Sequence, residues 1–348
     1  MLAGALLLWL QAAAPPHAPT TIQHVLVVSV DGLRPDAIDL NPTSTTPALA
    51  RLTKGPGTLN ARTDPDITVT LPNHLGMITG RLTAGALGHN WVANEDPPAA
   101  RHGGTLHYRK GSYVASMFDV AHDHGVRTGV FVTKTKFWLL VQSYDEDHGA
   151  PDLVPPDNGK RKIDTFTYAP ASRDAALQAV AWLQAQRGPT LMLVHFADPD
   201  VGGHSEGWLL EPGSAYRTSV QQADAAVGLL LQAVDSSPAL RGHTAIILTA
   251  DHGGGVPLKT HTDPEASVNF RIPFLVWLGA DQEPADLVAL NTSTRAQPKP
   301  DERVPADAPV QPIRNADAAN LALQLLGLPP VPGSQINTQQ NLRLGVQP

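Results

Sequence analysis

Residues able to bind metal ions or to attack phosphorus stand in five short, separated motifs. The motifs read VVSVDGLRPDA, TVTLPNH, DPDVGGH, LTADHGG and THTDP. Their chemically competent residues are Asp31, Thr70, Asp200, His204, Asp251, His252 and His261. Carboxylates and imidazoles with one hydroxyl can hold two metal ions against a nucleophile, and this combination predicts hydrolysis of a phosphate ester.

Three of the carboxylates share one kind of position. Asp31, Asp200 and Asp251 each come shortly after an apolar run with the composition of a buried strand. A single aspartate at such a point is most often a turn or helix-capping residue. In open α/β sheets, however, ligand sites gather at the carboxyl ends of the strands, and this favours one common site. Asp198 competes with Asp200, but the spacing to His204 favours Asp200.

Glycines accompany two of the motifs. Two glycines lie between Asp200 and His204, and three follow Asp251 and His252. Because glycine adopts backbone conformations that other residues avoid, we expect the chain to bend at both places and bring the paired side chains to one point. His261 stands in a polar loop, where a histidine by itself is more often solvated than bound to a metal.

Thr70 precedes a segment with helical signals. Pro72 suits the first turn of a helix that continues to Thr79 and ends at Gly80. The Thr70 hydroxyl is then expected at a helix amino terminus, which favours a phosphate oxygen or an alkoxide. An ordinary capping threonine is the alternative. Asn73, one turn further on, could donate its amide to a phosphate oxygen.

Alternating strands and helices are expected to position these residues. Apolar, β-branched runs predict buried strands at 25–30, 128–132, 190–196, 244–249 and 273–278. Capping and helical periodicity predict helices at 112–124, 172–186, 214–234 and from 315 or 317 to 326. This alternation predicts an α/β fold with a large, mostly parallel sheet between helices.

The chain is expected to form a single catalytic domain over residues 22–330. Part of 84–156 is expected to form a smaller cap or insertion, 281–312 an irregular loop, and 331–348 a tail. Residues 1–14, MLAGALLLWLQAAA, have the length and apolar character of a signal peptide and are too short to span a bilayer. We therefore expect export to the periplasm or the medium, with no membrane span after cleavage.

Composition limits the chemistry further. The 348 residues are 42% hydrophobic, enough for a substantial core, and the formal charge of -7 disfavours a polymeric nucleic-acid substrate. The chain contains no cysteine, which excludes disulfides, thiolate ligands and a cysteine nucleophile. Oxygen and nitrogen ligands suit two divalent metal ions, with zinc favoured and manganese or iron as alternatives.

The motifs VSVDGLRPDA, TLPNH, PDVGGH and TADHGG resemble those of the alkaline phosphatase superfamily, in particular its type I phosphodiesterase and nucleotide pyrophosphatase branch. The resemblance covers residues 25–328. It implies a zinc ion held by Asp31, Thr70, Asp251 and His252, and a second held by Asp200, His204 and His261. It further implies that Thr70 is the nucleophile, that a phosphothreonine forms, and that Asn73 and the Thr70 amide hold the phosphoryl group.

Three functions remain open from the sequence. Hydrolysis of phosphodiester or pyrophosphate bonds is favoured, because no Arg or Lys beside TLPNH neutralises the extra charge of a monoester. This argument is limited, since four cations elsewhere could reach the site: Arg34, Lys134, Lys136 and Lys259. A phosphomonoesterase or phosphonate hydrolase would use the same residues. A non-catalytic metal or phosphate binder is disfavoured, because binding alone does not require the Thr70 hydroxyl, and a sulfatase is disfavoured by the lack of cysteine.

The expected substrate is a small phosphate ester or a nucleotide. Loops within 84–156 are expected to select its alcohol part, with His89, Asn90 and Trp91 as candidate pocket residues. For Trp91 the alternative is a place in a subdomain core. The sequence does not determine the oligomeric state.

Overall fold

A computed structural model describes residues 22–40, 44–279 and 282–345. The strands are β1 (His24–Val30), β2 (Pro56–Arg62), β3 (Arg127–Val132), β4 (Thr165–Tyr168), β5 (Thr190–Phe196), β6 (Thr244–Thr249), β7 (Arg271–Trp277) and β8 (Ala285–Asp286). The helices are α1 (Pro47–Leu52), α2 (Thr70–Thr79), α3 (Leu106–Lys110), α4 (Met117–Asp123), α5 (Trp138–Ser143), α6 (Ser172–Ala185), α7 (Asp198–Glu206), α8 (Ala215–Ser236), α9 (Ser267–Phe270), α10 (Leu287–Leu290) and α11 (Asp317–Leu325). The expected signal peptide lies outside the described residues, and export stays a prediction.

The described strands form one sheet in the order β4-β3-β5-β1-β6-β7-β2-β8. The strands from β4 to β6 run parallel, whereas β7 runs antiparallel to both of its neighbours, β6 and β2. Every side chain of β1, β5 and β6 is buried, as expected for continuous apolar runs in a covered parallel sheet. The expected α/β fold with a mostly parallel sheet is confirmed.

Two groups of helices cover this sheet. Helix α6 contacts β3 and β5 and packs against α8, which also contacts α1 and α7. Helix α11 contacts β1 and β6 and packs against α2 and α4. Helix α8 begins where its sequence predicts, because the Ser214 hydroxyl accepts a hydrogen bond from the Arg217 amide. The central strands are thereby covered on both faces.

The carboxyl ends of several strands meet at one edge of the sheet. The strands β3, β5, β1 and β6 are parallel neighbours and therefore end together. Strand β2 also ends there, since both it and β6 are antiparallel to β7. The segment 250–270 joins β6 to β7 at this same edge. The strand ends thus bring the separate sequence motifs to one place.

The region expected to hold a cap or insertion, 84–156, belongs only in part to the main sheet. Strand β3 lies within it and pairs with β4 and β5, so its later part belongs to the main sheet. The helix expected over 112–124 is shorter, because Ser116 and Asp119 form a capping box at the start of α4. A cap role for the remaining residues of this region stays a prediction.

The segments at the carboxyl end are largely irregular but attached to the domain. Between residues 282 and 312 the chain forms only the short elements β8 and α10. In the expected tail, the amides of Gln335 and Ile336 donate to the carbonyl of Gly80, at the end of α2. Within the described residues, no helix has the length and apolar character needed to cross a bilayer.

Candidate active site

The seven predicted residues converge at the shared edge of the sheet. Asp31 follows β1, Thr70 opens α2 after β2, and Asp200 lies in α7 after β5. His204 also lies in α7, and the other three candidates, Asp251, His252 and His261, lie in the connection between β6 and β7. They form two groups whose potential ligand atoms lie within 4.8 Å of one another, Asp31 with Asp251 and His252, and Asp200 with His204 and His261. These are the groups that the resemblance implies.

The first group surrounds the imidazole of His252. Its Nε2 lies 3.2 Å from Oδ2 of Asp251 and 3.5 Å from Oδ1 of Asp31. The Thr70 hydroxyl is 3.5 Å from the same nitrogen. All four side chains are buried. The candidate nucleophile therefore lies against this group.

The second group combines one helix with one loop. Nε2 of His204 lies 3.3 Å from Oδ1 of Asp200, and Nε2 of His261 lies 3.5 Å from the same oxygen. Asp200 and His204 are four residues apart on α7, so they share a helical face. The side chain of His204 is 45% exposed, whereas that of His261 is 4% exposed. The second group is thus open to solvent on one side.

The expectation that glycines bend the chain between Asp200 and His204 is wrong. Helix α7 continues through both glycines. A Cβ on Gly202 would lie 2.4 Å from the hydroxyl of Ser219, and a Cβ on Gly203 would lie 2.4 Å from the indole of Trp208. These glycines therefore allow close packing around α7, and helical periodicity alone aligns the two candidate ligands.

All three candidate histidine ligands are held in one orientation. In each case Nδ1 lies within hydrogen-bond distance of a backbone carbonyl, which can only accept a proton. The pairs are His204 with Lys259 at 2.8 Å, His252 with Gly253 at 2.8 Å and His261 with Thr68 at 2.5 Å. Nδ1 therefore carries the proton, and Nε2 presents a lone pair toward the carboxylates. This is the form of imidazole that binds a metal ion.

Three buried carboxylate oxygens lack a hydrogen-bond partner among the described residues. They are Oδ1 of Asp31, Oδ1 of Asp200 and Oδ2 of Asp251. Each lies 3.2–3.5 Å from the Nε2 of a histidine in its own group. Two ligands of one tetrahedral zinc ion, each about 2.0–2.1 Å from the metal, lie about 3.3 Å from each other. The unpaired oxygens and their spacing fit divalent metal ions.

Sequence reasoning missed two residues that hold these carboxylates. Nζ of Lys134 lies 2.6 Å from Oδ2 of Asp31 and 2.7 Å from Oδ2 of Asp200. His195 contacts the same Asp31 oxygen at 2.9 Å through Nε2, and its Nδ1 lies 3.0 Å from the Thr133 hydroxyl. From the sequence, Lys134 is only one of four cations able to reach the site. The available signal is that Lys134 lies two residues after the end of the buried strand β3, much as Asp31 follows β1.

Electrostatic coupling gives the carboxylates of the first group different proton affinities. Burial raises the pKa of Asp31, but the charge of Lys134 and the hydrogen bond from His195 outweigh burial and hold that pKa well below its usual range. Burial and the neighbouring Asp31 raise the pKa of Asp251 well above its usual range. Burial also lowers the pKa of His252 to about 3. In the metal-free protein, Asp31 is therefore charged and His252 neutral at pH 7.

In the second group, the pKa values of the two histidines shift in opposite directions. Burial and Asp31 raise the pKa of Asp200, but the charge of Lys134 and the nearby imidazole of His204 outweigh them and lower it. Burial lowers the pKa of His261. In contrast, the nearby carboxylate of Asp200 raises the pKa of His204. The exposed histidine is thus the one most readily protonated.

The local structure at Thr70 matches the expected helix. Helix α2 begins at Thr70, and Gly80 ends it with a φ of 63°. The amide of Leu71 donates to Oδ1 of Asn94 at 2.9 Å. His74, to which the sequence assigns no role, bonds the Ser29 hydroxyl through Nε2 and the Thr70 carbonyl through Nδ1, each at 2.8 Å. His74 thereby ties α2 to β1.

Asn73 is occupied in a way that the sequence did not predict. Its Nδ2 donates to the carbonyls of Ile67 and Val69, and its Oδ1 accepts from Asp64 and Asn315. An amide bonded in this way has no free N–H for a phosphate oxygen. Asn73 fixes the turn before α2 in this structure, and its expected contact with a phosphoryl group stays a prediction.

Two of the three candidate pocket residues are core residues. His89 and Trp91 are buried, and the Trp91 indole donates to the carbonyl of Ala93. Asn90, between them, is exposed and has a φ of 61°. Trp91 therefore packs in the core, which is the alternative that the sequence left open. Of these three candidates, only Asn90 is accessible to a ligand.

Comparisons with known proteins place this site in a family. A family model described as type I phosphodiesterase / nucleotide pyrophosphatase matches residues 25–262. The human ectonucleotide pyrophosphatase/phosphodiesterase family member 5 is 26% identical over 237 residues, which are 66% of this chain and 45% of that protein. The chain thus spans less than half the length of this curated relative.

Solved structures show the same fold. A protein of the alkaline phosphatase superfamily from Vibrio parahaemolyticus has a TM-score of 0.57 and 15% identity, over 92% of this chain and 70% of that chain. A candidate sulfatase from Bacteroides fragilis has a TM-score of 0.55 and 15% identity, over 95% of this chain and 80% of that chain. Identities this low establish the fold and not the activity. Together with the family match they confirm the resemblance drawn from the motifs: the chain belongs to the type I phosphodiesterase / nucleotide pyrophosphatase family.

Proposed function

We propose that the protein hydrolyses phosphate esters, with phosphodiester or pyrophosphate bonds as its preferred substrates. The main support is the buried Thr70 hydroxyl beside one of two groups of candidate oxygen and nitrogen ligands, in which three carboxylate oxygens lack partners among the described residues. Family membership points to the same class of reaction. A small-molecule phosphate ester or nucleotide is the proposed substrate.

The ligands would hold two divalent ions, with zinc favoured. Asp31, Thr70, Asp251 and His252 would hold one ion. Asp200, His204 and His261 would hold the other. When bound, these ions would lower the pKa of the Thr70 hydroxyl and stabilise negative charge on the phosphoryl oxygens. Each histidine is already oriented with its Nε2 lone pair toward the carboxylates.

Thr70 would then carry out a double displacement. Its Oγ1 forms a bond to phosphorus while the bond from phosphorus to the leaving alcohol oxygen breaks, and the alcohol departs after taking up a proton. Water next forms a bond to phosphorus as the bond to Thr70 breaks, and Thr70 recovers its proton. Two in-line displacements leave the configuration at phosphorus unchanged. A diester would yield a monoester and an alcohol.

The preference for diesters is supported by how the nearby cations are used. Arg34 pairs with Asp36, and Lys134 is shared between Asp31 and Asp200. Lys259 donates to the carbonyl of Ser205. These three cations are already engaged within the protein.

One observation favours a phosphomonoesterase or phosphonate hydrolase as the second candidate. Lys136 is half-buried and forms no ion pair among the described residues, and burial together with Lys134 lowers its pKa. Such a cation could meet the extra charge of a monoester. A substrate test is needed to separate the two candidates.

The test is a substrate panel on purified protein before and after chelation, with zinc and manganese added back separately. We expect turnover of bis(4-nitrophenyl) phosphate to exceed that of 4-nitrophenyl phosphate, to disappear with the metal and to return with zinc. Higher turnover of the monoester would favour the second candidate. Turnover of 4-nitrophenyl sulfate alone, or full activity after verified metal removal, would contradict the proposal.

The alternative of a non-catalytic metal or phosphate binder can be tested with a variant of Thr70 purified in the same way. Thr70→Ala should abolish turnover and leave most metal binding intact, because the three other ligands proposed for the neighbouring ion remain. If this variant keeps turnover and changes only ligand affinity, Thr70 is not a nucleophile and the proposed mechanism is wrong.

A further inference from the structure

Lys134 occupies an unusual position between the two groups of candidate ligands. Its ammonium contacts one carboxylate of each group, Asp31 and Asp200, at 2.6 and 2.7 Å. Its side chain is only 17% exposed. Among the described residues, no other lysine or arginine forms an ion pair with either carboxylate.

The contacts of Lys134 are selective for one oxygen of each carboxylate. In both aspartates the lysine meets Oδ2, and in both the oxygen without a hydrogen-bond partner is Oδ1. Oδ1 of Asp31 faces His252, and Oδ1 of Asp200 faces His204 and His261. Lys134 therefore holds both carboxylates in one orientation. In each aspartate, Oδ1 is directed toward the histidines of the same group of candidate ligands.

Oδ2 of Asp31 has a second contact besides Lys134, through His195. Thr133 contacts Nδ1 of His195, whose Nε2 contacts Oδ2 of Asp31. The consecutive residues Thr133 and Lys134 thus act on the same carboxylate, one through His195 and the other directly. For Asp200, Lys134 is the ion-pair partner of Oδ2.

We propose that Lys134 is a positioning residue shared by both metal sites, which sets the orientation of Asp31 and Asp200 for metal binding. This inference rests on the proposed two-metal function and adds a residue that couples the two sites. Groups that orient metal ligands change metal affinity by about 10- to 100-fold when removed. Lys134 is shared, so its loss should weaken both ions, whereas loss of His195 should weaken only the ion held by Asp31.

Electrostatic repulsion alone predicts the opposite change in metal affinity, so a measurement of affinity can distinguish the two roles of Lys134. A positive charge close to a metal site repels the ion, so a variant that lacks this charge should bind metal more tightly if charge alone matters. If orientation matters more, the same variant should bind metal more weakly. The sign of the change therefore distinguishes the two roles.

The experiment measures zinc affinity by competition with a chromophoric chelator for the wild type, Lys134→Met, His195→Asn and Lys136→Met. We expect Lys134→Met to lose about 10- to 100-fold in affinity for both ions. His195→Asn should lose affinity for one ion. Lys136→Met, which removes a nearby charge that has no ion pair among the described residues, should bind both ions as the wild type does or slightly more tightly.

Unchanged or tighter zinc binding by Lys134→Met would overturn the inference, and so would a loss confined to one ion. Lys134→Gln, which keeps an N–H donor without the charge, should recover part of the affinity. If the metal-free variants do not fold, zinc release from the loaded proteins gives the same comparison, with faster release expected for both ions of Lys134→Met. If the wild type binds no zinc, the proposed two-metal function fails instead.

Discussion

The imidazole rings of His252 and His261 stack, with centroids 3.6 Å apart and planes inclined by 11°. The two rings belong to different groups of candidate ligands, so the stack joins these groups directly. Protonation of both rings would place two positive charges face to face. Burial and the neighbouring His261 lower the pKa of His252 to about 3, which keeps its ring neutral over the range in which metal ions bind.

The nucleophile can be tested by graded substitution of Thr70. Thr70→Ala removes the attacking oxygen, and we expect kcat for a diester to fall by at least about 1000-fold, because the covalent route is lost. Thr70→Ser keeps a hydroxyl and should retain measurable turnover and a trapped phosphoserine. Mass spectrometry after acid quenching detects the phosphorylated residue. Metal content close to that of the wild type serves as the control, and a phosphorylated Thr70→Ala protein would disprove the assignment.

Acid should release the two metal ions in sequence. Protons compete with a metal ion for the Nε2 atoms, and competition begins at a higher pH where the histidine pKa is higher. The nearby carboxylate of Asp200 raises the pKa of His204, whereas burial lowers that of His252. The group containing His204 should therefore lose its metal first as the pH falls. Metal content after equilibration and gel filtration at decreasing pH should show two steps, and His204→Ala should remove the step at higher pH.

The same order is expected when a chelator is added at neutral pH. The side chain of His204 is 45% exposed and that of His252 is fully buried. Release to the chelator should be biphasic, and the fast phase should disappear in His204→Ala. A single phase of two equivalent ions would contradict this difference between the groups.

Buried His89 should make the stability of the metal-free protein sensitive to acid. Burial lowers the pKa of His89 to about 3, whereas an unfolded histidine takes up its proton near its ordinary pKa of about 6.5. Between these values the unfolded state binds more protons, so the free energy of unfolding decreases as the pH falls below about 6.5. The contribution of this one group approaches about 1.4 kcal/mol per pH unit.

The measurement is urea unfolding in the presence of chelator, for the wild type and for His89→Asn, at several pH values between about 7 and 4.5. Asparagine can replace Nδ1 as the acceptor of the Trp91 amide, which lies 3.1 Å away. The pH dependence should be shallower in the variant. Parallel curves for the two proteins would show that His89 does not titrate as expected.

Close packing around Trp208 should make Gly254 intolerant of a side chain. A Cβ on Gly254 would lie 2.1 Å from the indole of Trp208, and the ring centroid of His204 lies 5.3 Å from that indole. Gly254→Ala should therefore lower stability by about 1–3 kcal/mol and weaken metal binding by moving the indole against the histidine. Gly188→Ala, at a position with open space, is the control. If the clash is the cause, Trp208→Leu should reduce the effect of Gly254→Ala in a double-mutant cycle.

The sequence predicts the central strands well, because they depend on local composition, and the structure brings the seven candidate residues to one edge of the sheet. Continuous apolar runs predict β1, β5 and β6 to within one residue. Strand β2, with the sequence PGTLNAR, has no such run, because it is partly buried near the edge of the sheet and carries glycine, asparagine and arginine. Its pairing with β7 is a tertiary contact that composition does not reveal.

The parts of the site that the sequence does not predict are those that depend on distant partners. Asp31 and Lys134 are far apart in sequence, and only the order of β3, β5 and β1 in the sheet brings them together. His195 lies inside an apolar strand, where it reads as a core residue. The role expected for Asn73 follows from its distance to Thr70 along the helix, but neighbouring carbonyls take both N–H groups of its amide.

Because β7 pairs antiparallel with β6, the segment 250–270 between them should tolerate inserted residues. This segment starts and ends at the same edge of the sheet and never crosses a face of it. Residues inserted between His252 and His261 would enlarge a surface excursion at modest entropic cost and leave every strand pairing in place. Such insertions would lie beside the candidate ligands His252 and His261, so evolution or protein engineering could change the surroundings of the site there and keep the sheet that positions the ligands.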